Sequence, residues 1–369
     1  MQPLLVLGLM SGTSRDGVDA ALLLTDGEHL IEPRGFLTLP YTPDTQSLIT
    51  EACTRALSLP APGPDPLIDQ LSTHLADLHA LAVQRLCAAT ATPLDTVALI
   101  GFHGHTIAHR PSHGWTWQTG DAQRLARLTT RPVIHDFRSA DVAAGGQGAP
   151  LAPGYHRARL GASAHATGIL NLGGVGNLTW FHEHRWGSFD TGPANALVDD
   201  WVAANDKGSY DHDGQLAASG SIQQSVLTSM LDLPWFDQPP PKSLDRTDFD
   251  IAPARGLNPA DGAATLTAFT AETVRLALGH VPPLARLHVT GGGRHNSTLM
   301  AMIAERTGLP TTPVETLGWN GDALEAEAFA WLAVRSTLGL PLSWPETTGV
   351  PVAITGGQKV PHHERYTHD

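Results

Sequence analysis

The sequence predicts an α/β protein of two domains built on one duplicated plan. At 369 residues the chain exceeds the size at which a single hydrophobic core stops growing. An apolar strand, a Gly-rich turn and a second strand occur twice, as LLVLGLMSGTSRDGVDAALLLT from residue 4 and ATGILNLGGVGNLTWF from residue 166. A third strand with a glycine turn, LHVTGGGRHNSTLM, leads into an amphipathic helix.

Composition narrows the function classes. Apolar residues make up 41% and charged residues 16%, the balance of an ordinary globular protein. A formal charge of −13 and only three lysines, Lys207, Lys242 and Lys359, exclude the basic clusters that nucleic acid requires. MQPLLVLGLM lacks a basic leader and is too short to span a bilayer, so a cytoplasmic protein with no membrane partner is expected. Cys53 and Cys87 are too few for a disulfide framework or a thiolate metal site. His103, His105 and His109 have a spacing that could hold zinc, but no fourth ligand accompanies them.

The elements follow in order. PLLVLGLM, GVDAALLLT and HLIEPRGFLTL read as three strands, with Asp26-Gly27 turning between the second and third. LPAPGPDP separates helical segments, and Ile68 to Ala91 carries apolar residues at helical spacing. DTVALIGFHGHT is a buried strand with polar residues at its C-terminal end, where open α/β sheets bind ligands. DVAAGGQGAPLAPGYH, residues 141–156, reads as a segment crossing between the halves. HRWGSFDTG closes the second three-strand set, and Gly192-Pro193 is expected to start the helix ALVDDWVAAN.

Three glycine turns suggest a cleft ringed by backbone amides. There is no G-x-x-x-x-G-K-[ST], so the phosphate chemistry of a P-loop is excluded. The N–H groups and hydroxyls of Gly12, Thr13, Ser14 and Gly17 can bind phosphate oxygens without a lysine. Asp16 and Asp19 beside them would repel a bare triphosphate but suit one carrying Mg²⁺. A capped hairpin turning at Asp16-Gly17 is the competing reading. Asp190, at the end of a strand, suits either a general base or a helix cap.

GLMSGTSRDGVDA, FHGHTIAHRP, HDFRSADVAAGGQGAPLAPGYH, LNLGGVGNLTW, FDTGPANALVDDW, PPPKSLDRTDF, VTGGGRHNSTLM and GDALEAEAFAWLA together resemble the anhydro-N-acetylmuramic acid kinases. The motifs stand in the family's order from residue 8 to about 335. The resemblance implies two duplicated actin-like ATPase domains around a nucleotide cleft, the fold of acetate and sugar kinases, Hsp70 and actin. Residues 1–138 with about 345–369 would form the first domain and 139–344 the second. It also implies hydrolytic opening of 1,6-anhydro-N-acetylmuramic acid with ATP, giving N-acetylmuramic acid 6-phosphate in peptidoglycan recycling.

The resemblance makes Asp190 the general base. It places ATP, with Mg²⁺ near Asp16 or Asp19, on the turn Gly12, Thr13, Ser14, Arg15, Asp16, Gly17, Val18 and Asp19. Gly173 and Gly174 would form the opposing phosphate loop, and Gly291, Gly292 and Gly293 would pack near adenosine. His103, Thr106, Asp136, Arg138 and Glu325 would serve the sugar, Arg138 pairing with a carboxylate such as Asp136 or making a structural ion pair. Asp322 and Glu325 also fit a capping box, while Glu327 is expected on a solvent-facing helix surface.

Three positions depart from the family pattern. His105 stands for the usual Gln, Ala194 for Gly, and Arg15 for an apolar residue. Arg15 would contact phosphate or point to solvent, and His105 could make a contact titratable. A homodimer is compatible with the sequence, which does not fix the oligomeric state. A kinase for another sugar and a non-catalytic ATP switch of the actin or chaperone type remain the alternatives. The first would act without anhydro-ring cleavage, and the second would show no sugar-dependent ATP consumption.

Overall fold

The computed structural model describes residues 2–161, 165–244 and 248–361. Its contacts divide the chain into two units, Met1–Gly161 with Ala323–Asp369, and Ala162–Asp322. The boundary lies later than the sequence suggests. Residues 139–161 belong to the first unit, so 141–156 is not a crossing segment. The return also comes earlier, because the helix Leu324–Thr337 packs on the first unit's sheet.

The first unit holds β1 (Leu4–Ser11), β2 (Gly17–Thr25), β3 (Ile31–Pro40), β4 (Leu99–Arg110), β5 (Trp115–Thr119) and β6 (Val133–His135). The second holds β7 (Thr167–Leu172), β8 (Val175–His182), β9 (Arg185–Pro193), β10 (Arg286–Thr290) and β11 (Thr311–Pro313). A last strand, β12 (Gln358–Val360), returns to pair antiparallel with β6. The tail 362–369 lies outside the described residues.

Strand order reveals the duplication. The first sheet runs β12-β6-β4-β1-β2-β3, with β5 beside β4, and the second runs β11-β10-β7-β8-β9. In each, three strands form an antiparallel meander, β1-β2-β3 and β7-β8-β9. In each, the first strand then pairs in parallel with a strand much later in its own unit, β4 or β10, which pairs in parallel with β6 or β11 in turn. Both units therefore carry the same five-strand plan, a duplicated α/β fold.

Helices cover these sheets. Pro66–Ala89 begins with Pro66 in its first turn and with Asp65 accepting from the N–H groups of Leu67 and Ile68. It buries Ile68, Leu71, Leu75, Val83 and Leu86, which join the first unit's core. The helix Leu324–Thr337 lies so close to the sheet that Gly8 and Gly101 are required. A Cβ on Gly8 would sit 1.9 Å from the Ala326 carbonyl oxygen, and one on Gly101 2.2 Å from that of Phe329. In the second unit, Pro259–Leu278 is the buried helix, packing Leu266, Phe269 and Val274 into two adjoining clusters.

Candidate functional site

In the first unit the candidate residues begin at the β1–β2 turn. Arg15 takes the left-handed conformation (φ 58°), and its N–H closes the turn on the Gly12 carbonyl at 3.1 Å. Gly17 must be glycine here, since a Cβ would lie 2.5 Å from the Leu39 carbonyl oxygen. Ser14 donates to Asp16 at 2.8 Å, and Thr38 of the next strand donates to Asp19 at 2.6 Å. The Arg15 guanidinium neither lies in the turn nor points freely to solvent; it donates to Thr50 at 2.6 Å. Gln46 in turn donates to the Arg15 carbonyl, so the helix Pro43–Leu57 fixes the turn from outside.

Beneath the turn lies a hydrogen-bonded chain that the sequence reading did not identify. The hydroxyl of Ser11, last residue of β1, is 2.7 Å from the Tyr41 hydroxyl and 2.8 Å from His105 Nδ1. All three side chains are buried. Burial pushes the His105 imidazole down to about 4, aided by the Arg15 charge, so the ring is neutral near pH 7. The position is therefore not the titratable contact its histidine suggests.

His103, on the same strand, points elsewhere. Its Nδ1 donates to the Gly104 carbonyl, which leaves Nε2 to accept from Arg138 Nε at 2.9 Å. Arg138 also donates to the Gly148 carbonyl at 2.7 Å and stacks near the Phe329 ring. Burial lowers its guanidinium to about 10, while the charges of Glu325 and Asp141 oppose that shift. Asp136 is not its partner. Held at φ 55°, Asp136 accepts instead from Gln358 of β12 at 2.7 Å.

Asp141 organises the loop carrying Gly148: it accepts from the Gly148 N–H at 2.6 Å, Ser343 at 2.5 Å and Thr348 at 2.6 Å. Thr106 accepts from Gln118 at 3.2 Å, and His109 engages Thr116 at 2.8 Å, so the three histidines of the H-x-H-x3-H run face three different partners.

The helix bearing Glu325 corrects two expectations. It starts at Leu324 behind Ala323 without a side-chain cap, because Asp322 pairs with Arg294 at 2.9 Å rather than forming a capping box. Glu325 is exposed, whereas Glu327 is 2% exposed. Its carboxylate accepts from the Tyr155 hydroxyl at 2.5 Å and from Arg159 at 2.7 Å. The expectation placed it in solvent; Arg159 supplies the compensation that lets the carboxylate turn inward.

In the second unit the candidate residues lie on β8 and β9. Asn177 and Asp190 face each other across these strands, at the point where the register shifts. Asn177 Nδ2 donates to Asp190 Oδ1 at 2.9 Å, and the Leu244 N–H donates to Oδ2 at 2.8 Å. The Asp190 N–H donates to the Lys242 carbonyl at 2.9 Å. Desolvation pushes the Asp190 carboxyl up to about 6, against the pull of these two donors. That value suits a group exchanging protons near neutrality.

Asp190 caps no helix. Pro193 ends β9 instead of opening the helix, which runs Asn195–Ala204 behind Ala194. The N–H groups of Ala194 and Asn195 are taken by the carbonyls of Gly174 and Gly173, at 3.0 and 2.9 Å. Ala194 adopts negative φ (−114°), so glycine is not needed there.

Gly291 (φ 76°) and Gly293 press against Leu172, where Cβ atoms would approach to 2.7 and 2.6 Å. Arg294 locks this turn, bonding the Gly291 carbonyl, Glu315 and Asp322. Among the described residues no cluster of three or more His, Cys, Asp or Glu could hold a metal by itself, and no helix is long and apolar enough to cross a membrane.

The family model for anhydro-N-acetylmuramic acid kinase matches residues 4–362. The chain is 55% identical over 360 residues to the anhydro-N-acetylmuramic acid kinase of Rhizorhabdus wittichii, covering 97% of this chain and 99% of that protein. Against the protein of that name from Zymomonas mobilis it is 46% identical over 361 residues, covering 96% and 99%. Among solved structures, a xylulose kinase from Lactobacillus acidophilus aligns with a TM-score of 0.45 at 10% identity, covering 91% of this chain and 89% of that one.

Proposed function

We infer the function from the family: the chain belongs to the anhydro-N-acetylmuramic acid kinases. Its reaction is phosphorylation of anhydro-N-acetylmuramic acid, and ATP is the proposed donor. In the proposed course, water attacks C1 of the 1,6-anhydro sugar and the C1–O6 bond opens. The O6 electron pair attacks the γ-phosphorus, and ADP departs. N-acetylmuramic acid 6-phosphate and ADP result, a step in cytoplasmic recycling of peptidoglycan.

The observation that carries this reading is the setting of Asp190. Its carboxyl is held by two donors and raised to about 6, so it is ionised near pH 7 yet basic enough to take a proton from the attacking water. Glycosidases pair such a base with an acid that protonates the departing oxygen. Here phosphorus captures that oxygen, so one carboxylate suffices. The proton remains on Asp190 and passes to solvent after turnover.

The turn from Gly12 to Asp19 is proposed to bind the nucleotide phosphates through backbone N–H groups and the hydroxyls of Thr13 and Ser14. Asp16 and Asp19 are oxygen donors suited to Mg²⁺, which prefers one or two carboxylates plus phosphate oxygens and water. When bound, Mg²⁺ would neutralise charge on the phosphates. Gly173 and Gly174 are assigned to phosphate and Gly291, Gly292 and Gly293 to adenosine. His103, Thr106, Asp136, Arg138 and Glu325 are assigned to the sugar, Arg138 being preset by His103 and Gly148.

Coupled ADP release tests the reading. Release is expected with 1,6-anhydro-N-acetylmuramic acid and not with intact N-acetylmuramic acid, which has no ring to open. Equal release with both sugars would indicate an ordinary hydroxyl kinase. Release independent of either sugar would indicate an ATP switch.

A further inference from the structure

We propose that Lys242 is a positioning residue for Asp190, acting through the loop that donates the Leu244 N–H. This rests on Asp190 being the base.

Lys242 is 9% exposed, unusual burial for an ammonium. Its Nζ donates to the carbonyls of Trp235 and Phe236, at 3.1 and 3.0 Å, and lies 4.2 Å from the centre of the Trp235 ring. Phe236 belongs to the second unit's core, its ring tilted against Phe249 and edge-on to Phe269. The ammonium thus fastens the segment 242–244 to carbonyls anchored in that core.

The same segment reaches Asp190 twice. The Lys242 carbonyl accepts the Asp190 N–H, and two residues on, the Leu244 N–H binds Oδ2. One contact fixes the backbone of the base, the other the orientation of its carboxylate. Replacing the ammonium by an apolar group would remove both of its bonds, while the Trp235 carbonyl keeps the Gln238 N–H and the Phe236 carbonyl keeps His280 Nε2. The tether on segment 242–244 is then lost and the loop is free to move away. Asp190 would then keep Asn177 and lose the donor on its other oxygen. A carboxylate deprived of an N–H donor becomes more basic and less well aimed.

The test compares Lys242→Met, Lys242→Arg and Asp190→Asn in the full chain. Turnover with the anhydro sugar is measured across pH, and the Asp190 carboxyl is titrated by ¹³C NMR. For folded Lys242→Met, kcat should fall about 10- to 100-fold, with KM for ATP unchanged and the Asp190 titration displaced to higher pH. Lys242→Arg, which keeps a cation with several donors, should restore most turnover and the original titration. A merely structural lysine would lower Tm without moving the titration.

The proposal is overturned if Lys242→Met turns over within twofold of the parent with an unmoved titration. It is overturned equally if the Met and Arg variants behave alike. Should Lys242→Met not fold, Lys242→Gln, which retains an N–H donor, is read by the same criteria. Full turnover by Asp190→Asn would refute the base assignment itself. An inactive Asp190→Asn beside a normal Lys242→Met would refute only the role of Lys242.

Discussion

Asn177 and Asp190 are cross-strand partners on β8 and β9, and the 2.9 Å bond from the Asn177 amide to Asp190 Oδ1 lies where the two strands slip register. The bulge sets the carboxylate between that amide and the Leu244 N–H. The proposed base must be ionised to act, so kcat/KM should rise with pH through about 6 and level above it. Asn177→Ala removes a donor that favours the charged form, and its acid limb should move to higher pH. A pH–rate profile of both proteins checks the sign.

Asp190 should also be a stability liability. Its folded value of about 6 exceeds the ordinary 3.8, so between these the native state binds more protons than the unfolded one. Stability from this group is therefore fully present below the unfolded value and lost as pH rises through the folded value. Asp190→Asn should gain Tm relative to the parent as pH goes from 4 to 6, with the gain level beyond. Melting curves across that range measure it.

The opposite sign applies to the first unit's histidines. Burial depresses His79, His105 and His156 to about 4, and His103 lies well below its ordinary value. Neutral in the fold, they must charge to unfold the protein in acid, so their stabilisation is present above 6.5 and lost as pH falls towards 4. The Nε2 of His79 is buried without a hydrogen-bond partner, beside Phe102. His79→Leu is expected to shift the acid unfolding midpoint to lower pH, as read by circular dichroism.

The buried Glu327–Arg159–Tyr155 cluster makes a different prediction. Arg159→Met leaves the Glu327 carboxylate uncompensated and should destabilise by about 3–5 kcal/mol. Adding Glu327→Met should recover most of that loss, since an apolar pair of similar volume has no charge to desolvate. A double-mutant cycle by urea unfolding gives the coupling.

Much of the fold is legible because it rests on short-range patterns. Strand alternation and glycine turns locate β1, β2, β7, β8 and β10, and apolar spacing from Ile68 to Ala91 locates the helix that runs Pro66–Ala89. The turn Gly12–Asp19 and Asp190 stand out for the same reason, as polar residues concentrated at strand ends.

What stays hidden depends on partners far along the chain. Glu327 looks like a surface residue until Arg159, 168 positions away, is placed beside it. Asp322 looks like a cap until Arg294 takes its carboxylate. Lys242 lies in PPPKSL, a stretch without periodicity, and nothing local says that its ammonium turns back to two carbonyls. The Ser11–Tyr41–His105 chain likewise joins three elements that sequence order keeps apart.

The central claim is that Asp190 activates the water that opens the anhydro ring. Its most direct test is single-turnover ADP formation by Asp190→Asn with the anhydro sugar, alongside ATP binding by calorimetry. The account predicts a loss of about 10²–10⁴-fold in turnover with ATP affinity unchanged. Turnover close to that of the parent protein would contradict it.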